Sequence, residues 1–118
     1  MNFEDELFDI ERGFWLSGEE HFTRHLDDQC LLAFPQGGEM HGIFSRRHVA
    51  ATATPSNRWR DLHIGDRHLL RAGDEVAIIS YRADVTRADG QPYSALVSSG
   101  YIARTDGWKL MFHQHSPI

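Results

Sequence analysis

The chain opens on a helical hydrophobic pattern. Phe3, Leu7, Ile10 and Phe14 recur three or four residues apart, and Phe8 and Trp15 widen the stripe. The spacing predicts an amphipathic helix over 2–16, with Asn2 as its cap and acids in the first turn to suit the helix dipole. Glu4, Glu6, Glu11 and Arg12 fall outside the stripe. Gly13 weakens the helix by about 1 kcal/mol relative to Ala. Ser17-Gly18-Glu19-Glu20 has the form of a capping box and predicts a second helix over 18–26, with Phe22 and Leu26 as its buried pair and Asp27-Asp28 as its stop. A short buried strand follows over 29–34, ended by Pro35-Gln36-Gly37-Gly38. Ser45 caps a third helix over 46–54, and Pro55-Ser56-Asn57 is loop.

The period then changes from helical to alternating. Residues 59–64, extending to Leu70, read as a strand, and 75–86, 93–104 and 108–115 read as three more. Asp89-Gly90 and Asp106-Gly107 mark hairpins between them. Helices first and an antiparallel meander afterwards predict an α+β fold, one curved sheet closed over the N-terminal helices, in a single domain over 1–118.

Parity assigns the faces. The odd positions of 75–86 and 93–104 are largely apolar and form the inner face. A two-residue turn at Asp106-Gly107 pairs Thr105 with Trp108, setting Tyr101 opposite Phe112 and Ser99 opposite Gln114. A slip of one residue turns His113 inward instead. Tyr81, Ser99, Tyr101 and Gln114 are then the polar groups in an apolar hollow, the usual composition of a small-molecule pocket. The alternative is a hydrogen-bond network that fixes the sheet and binds nothing. Trp15, Trp59, Phe34 and Phe112 supply apolar walls, or core packing alone. The opposite face carries Val76, Ile78, Leu96, Ile102 and Met111, too apolar to stay wet, and predicts a homodimer through the back of the sheet.

Composition narrows the class. The 118 residues are 41% hydrophobic and 25% charged, with a net charge of -5. Arginines are scattered rather than gathered on one face, which argues against nucleic acid. No apolar run approaches the roughly 20 residues of a membrane span. The acidic N-terminus lacks the basic start and apolar run of a signal peptide, and the lone Cys30 sits in an apolar run, so a cytoplasmic location is expected.

Phe14-Trp15, Ser98-Ser99-Gly100-Tyr101 and the ending Gly107-Trp108-Lys109-Leu110-Met111-Phe112-His113-Gln114-His115-Ser116-Pro117 resemble the nuclear transport factor 2-like (NTF2-like) superfamily, within it the SnoaL-like branch of unknown function. The ending is similar also to the association domain of calmodulin-dependent kinases. The resemblance covers the whole chain in element order. It implies a cone-shaped domain with a pocket between sheet and helices, often dimeric. The superfamily hosts isomerases, dehydratases, polyketide cyclases, binding modules and assembly domains, so fold alone leaves function open.

No Asp or Glu falls on the inner positions from Ala77 to Ala103, since Glu75 lies at a strand start and Asp84 has the other parity, which argues against the wall-carboxylate base of ketosteroid isomerases. His25, Asp27 and a slipped His113 are the acid–base candidates for a lyase or isomerase on a cyclic or polyketide-like substrate. His21 and His25 stand four apart on a helix, but no third ligand is fixed, and neither a metal nor a cofactor is expected. The leading expectation is a small-molecule ligand, mostly apolar, in the cone; the others are the lyase or isomerase and an assembly module.

Overall fold

The computed structural model describes residues 2–35 and 40–118, so the expected turn at Pro35-Gln36-Gly37-Gly38 lies, beyond Pro35, outside the described residues. Helix α1 spans Phe3–Leu16, and Asn2 caps it by accepting the Asp5 N–H at 2.8 Å. Glu4 and Asp5 hold the Arg67 guanidinium at 3.0 and 2.9 Å, and that guanidinium also lies over the Phe8 ring, 4.1 Å from its centroid. Helix α2 spans Glu19–His25. The expected capping box does not form: Gly18 is the cap and has no side chain to offer, while Ser17 closes α1 by donating its N–H to the Gly13 carbonyl at 2.8 Å. Leu26 has left the helix, because its extended backbone starts β1, Leu26–Ala33, where it pairs with Leu110. Asp27 and Asp28 therefore lie in a strand and do not stop a helix.

Strand β2, His41–Ser45, was not expected; it is a mostly exposed edge strand with no apolar alternation to announce it. Helix α3, Arg46–Ala51, starts at the Ser45 cap, whose Oγ accepts the His48 N–H at 3.2 Å. It ends three residues before the expected Thr54, because the Thr52 and Ala53 N–H groups turn back to Val49 and Ala50 carbonyls in a tighter turn. A 3-10 turn, Pro55–Asn57, leads into β3, Arg60–Ala72, then β4, Val76–Thr86, β5, Pro92–Arg104, and β6, Gly107–Pro117.

Among the described residues six strands lie in the order β2-β1-β6-β5-β4-β3. The meander β3 to β6 is antiparallel throughout, but β1 runs parallel to β6, so the sheet is mixed. In β3 the register shifts twice, beside Asp61 and Asp66, whose φ values are 54 and 50. Such bulges bend a strand and strengthen its twist, which curls this end of the sheet around α1.

Pairs Val85–Tyr93, Ala83–Ala95, Tyr81–Val97 and Ala77–Tyr101 keep the odd positions on the inner face, as the parity predicts. The last hairpin departs from expectation. Its turn is Thr105-Asp106, with Arg104 paired to Gly107, whose φ of 123 suits glycine. Tyr101 consequently pairs with Leu110, not Phe112. Met111 then bulges, so Gly100 pairs with Phe112, Ser99 with His113 and Ser98 with Gln114. One extra residue flips everything beyond it: His113 and His115 turn inward, and Phe112 and Gln114 turn to the outer face.

That outer face carries a continuous cross-strand row of Ile43, Leu31, Phe112, Gly100, Ile78 and Leu70, one from each strand. Ile43 is 68% exposed, Leu70 64%, Leu31 42% and Ile78 38%. A Cβ at Gly100 would stand 3.2 Å from the Phe112 Cβ, so glycine lets that ring approach. Lys109 is buried and donates to the Arg24 carbonyl at 2.6 Å. Among the described residues no helix is long and apolar enough to cross a membrane.

Candidate functional site

Between the curled sheet and the three helices lies a cavity of about 640 Å³, within the range of about 300–1,000 Å³ usual for ligand pockets. Phe14 and Trp15 from α1, Phe22 from α2, Val49 from α3, and Phe34 and Trp59 from the connecting segments form much of its wall. The Trp15 and Trp59 rings meet edge to face at 5.0 Å. Two guanidiniums border the cavity. Arg58 donates from Nη1 to the Phe14 and Ser17 carbonyls, both at 3.1 Å, capping the negative end of α1. Arg87 lies over the Trp59 and Tyr93 rings, 5.1 and 4.5 Å from their centroids.

The floor is polar. His115 stacks on Trp15, ring centroids 5.0 Å apart, and its Nδ1 lies 3.1 Å from the Tyr93 hydroxyl. His115 Nε2 stands 2.8 Å from His113 Nε2, and His113 Nδ1 stands 2.7 Å from Ser99 Oγ. Burial pulls His113 down to about 4, while burial, the neighbouring His113 and Arg87 pull His115 down to about 2. Both imidazoles are neutral in ordinary buffers.

Below the floor is Glu11, 0% exposed. Its carboxyl receives three hydroxyl donors: Tyr81 at 2.5 Å and Ser99 at 2.7 Å on Oε2, and Tyr101 at 2.6 Å on Oε1. The Trp15 indole N–H donates to the Tyr81 oxygen at 2.9 Å. Burial raises the Glu11 pKa and the hydrogen bonds from Tyr101, Tyr81 and Ser99 work against it, leaving it above the ordinary carboxylate value.

Of the residues singled out from the sequence, Trp15 and Trp59 line the cavity. Tyr81, Ser99 and Tyr101 point inward, but their hydroxyls are engaged by Glu11 beneath the cavity and are not among its lining. Gln114 does not reach it: the Met111 bulge puts it on the other face, where its Nε2 donates to Ser116 Oγ. Phe112 follows it outward, while Phe34 stays in the wall. His25 and Asp27 stand apart from the cavity. Asp27 accepts two hydrogen bonds from Arg104 at 2.9 and 2.8 Å. His25 sits in a small cleft beside Glu6 and Ile10, pulled down to about 4 by burial first and His21 second. His21 faces the Ile10 carbonyl at 2.8 Å. Among the described residues no group of three or more His, Cys, Asp or Glu is gathered to hold a metal ion.

Glu11, Tyr93, Arg58 and Arg87 were not among the residues singled out from the sequence. For Glu11 a signal existed. Expected outside the apolar stripe, it stands instead four residues after Leu7 and four before Trp15, both buried, and shares their face of the helix. For His113 and His115 the signal was their alternation, with the bulge deciding which way they point.

No family model and no curated protein matches the chain. Solved structures do. An NTF2-like protein from Cytophaga hutchinsonii superposes with a TM-score of 0.78 at 16% identity, covering 100% of both chains. A candidate ketosteroid isomerase from Parabacteroides distasonis gives 0.75 at 12%, covering 99% of this chain and 89% of that one. A candidate calcium/calmodulin-dependent kinase II association domain from Exiguobacterium sibiricum gives 0.74 at 16%, covering 98% and 91%. At such identities the likeness is one of fold: this chain has the NTF2-like fold.

Proposed function

We propose that the cone holds one small, mostly apolar organic ligand. The observation that carries this is the 640 Å³ cavity itself, walled by aromatic rings and floored by Tyr93, His113 and His115. An apolar enclosure with a few convergent polar groups binds by burial and orients by hydrogen bonds. Trp15 and Trp59 are the apolar contacts of this reading. Tyr81, Ser99 and Tyr101 act through the floor they support, and Gln114 has no part in it. A fluorescent apolar probe such as anilinonaphthalene sulfonate tests it. We expect saturable binding at one site per chain, with a change in tryptophan emission from Trp15 and Trp59. Val49→Phe, which thrusts a ring into the cavity, is expected to weaken binding about tenfold, or about 1.4 kcal/mol. Unsaturable binding, or equal binding by the variant, removes the ligand reading.

A lyase or isomerase reading on a cyclic or polyketide-like compound has its own support. Of the acid–base candidates, His113 lines the cavity, and Glu11 beneath it supplies the carboxylate that the strands lack.

The outer face supports self-association with a second copy, since an apolar row that crosses every strand is unlike the scattered surface apolars of a monomer. The buried thiol of Cys30, pushed up to about 12 by burial, is inert and fits a reducing, cytoplasmic setting.

A further inference from the structure

The contacts under the cavity form one unbroken line: Tyr93 Oη to His115 Nδ1 at 3.1 Å, His115 Nε2 to His113 Nε2 at 2.8 Å, His113 Nδ1 to Ser99 Oγ at 2.7 Å, and Ser99 Oγ to Glu11 Oε2 at 2.7 Å. Each imidazole uses both nitrogens in it. A neutral imidazole has one N–H and one acceptor nitrogen, so the hydrogens along the line must all point the same way.

With Glu11 ionised the direction is fixed. The carboxylate only accepts, so Ser99 donates to it. Ser99 Oγ must then receive the His113 Nδ1–H, His113 Nε2 receives the His115 Nε2–H, and His115 Nδ1 receives the Tyr93 hydrogen. Every group is satisfied. With Glu11 protonated on Oε2 the whole line reverses: Glu11 donates to Ser99, Ser99 to His113 Nδ1, His113 Nε2–H to His115 Nε2, and His115 Nδ1–H to Tyr93. Again every hydrogen bond of the line is kept, while the Tyr81 and Tyr101 hydroxyls still find acceptor lone pairs on the carboxyl.

We propose that Tyr93, His115, His113, Ser99 and Glu11 are a proton relay through which a molecule in the cavity exchanges one proton with the buried carboxylate. The proposal rests on the acid–base reading of the cavity and deepens it by naming the path and the reservoir. In the accepting direction, Tyr93 Oη takes a proton from the bound compound and passes its own to His115 Nδ1. His115 passes its Nε2 hydrogen to His113 Nε2, His113 its Nδ1 hydrogen to Ser99 Oγ, and Ser99 its own to Glu11. One O–H forms at Glu11, one bond to hydrogen breaks in the compound, and the negative charge moves from Glu11 to the compound. The reverse passage returns the proton. The compound served is therefore a mostly apolar molecule with one exchangeable hydrogen, which fits both the wall and the floor.

The neighbours of the line are Tyr81, Tyr101 and Cys30 around Glu11, Arg12 toward Tyr81, and Arg87 toward His115. None of them bridges two members of the relay. The charged state of the line is set at Glu11, and the two imidazoles change tautomer without gaining charge.

The test uses the ligand-free protein. Nitrogen-15 labelled histidine reports the tautomer of each ring by NMR, and the side-chain carboxyl carbon of Glu11 reports its titration. As Glu11 gains its proton, His113 is expected to switch from Nδ1–H to Nε2–H and His115 from Nε2–H to Nδ1–H, at the same midpoint and both neutral. In Ser99→Ala the rings are expected to keep their tautomers while Glu11 still titrates. If that variant does not fold, the unaltered protein decides the matter. Tautomers that stay fixed through the Glu11 titration, an imidazolium appearing at its midpoint, or a switch that persists in Ser99→Ala would each overturn the relay. A ligand-binding cone in which His113 acts alone would survive any of those results, and failure to bind the apolar probe would leave the tautomer result standing.

Discussion

Glu11 is the residue on which the interior turns. A buried carboxylate is tolerated only when donors replace its lost water, and here three hydroxyls from β4 and β5 do so. The contribution of each is unequal to that of the whole. Tyr101→Phe removes one of the three hydroxyl donors to this buried carboxyl and leaves that acceptor unsatisfied, and is expected to destabilise by about 1–3 kcal/mol. Glu11→Ala leaves the Tyr81 and Tyr101 hydroxyls without their acceptor and opens a void, and is expected to lose about 3–5 kcal/mol. Urea unfolding at pH 7 measures both. Equal midpoints for Glu11→Ala and the unaltered protein would mean the carboxylate is not the keystone of this cluster. The helical period in the sequence pointed to this position, because 7, 11 and 15 share one face. A charge there reads as exposed until the hydroxyls that pair with it, 70 to 90 residues away along the chain, are placed opposite.

At the scale of elements, local pattern predicted what is periodic and missed what is set by contact. The long helix α1 and strands β4 and β5 follow their hydrophobic period closely. The short edge strand β2 has no such period and exists because β1 offers it a partner. The Ser17 motif matched a capping box, but the chain uses Ser17 to finish α1, so the same four residues serve the junction and not the start. The Met111 bulge is invisible in a two-residue alternation, yet it decides that His113 rather than Gln114 faces the cone. Gly13 shows the same competition between local and tertiary terms. Helix propensity alone says that Gly13→Ala should stabilise α1 by about 1 kcal/mol. A Cβ at that position overlaps the His21 ring, which packs against Phe14 and meets the Ile10 carbonyl at 2.8 Å, so the substitution must turn that ring out of both contacts. Gly13→Ala is therefore expected to lower the melting temperature, and the double change Gly13→Ala with His21→Ala to recover part of the loss. A stabilised single variant would show that propensity outweighs this contact.

For the molecule as a whole, one sheet has two unlike faces. The inner face was legible from parity, since β4 and β5 alternate without interruption and every odd residue of theirs meets another. The parallel contact of β1 with β6 was not, because nothing in two strands 80 residues apart states their direction. The outer face follows from the same register: a row of apolar side chains from Ile43 to Leu70, broken only at Gly100, where Phe112 fills the gap. A face of this kind is stable in water when a second copy covers it, because a two-fold contact pairs the row with itself and an interface of roughly 1,200–2,000 Å² is within reach of a sheet this wide. Light scattering is expected to give twice the 13.5 kDa chain mass. Ile78→Lys puts a charge at the middle of the row, where a partner would have to desolvate it, and is expected to return the chain mass with an unchanged circular dichroism spectrum. The same charge on a face that stays wet would leave both the mass and the melting temperature where they were. An unaltered protein that scatters as 13.5 kDa, or an Ile78→Lys variant that remains a dimer, would mean that this row is not the contact.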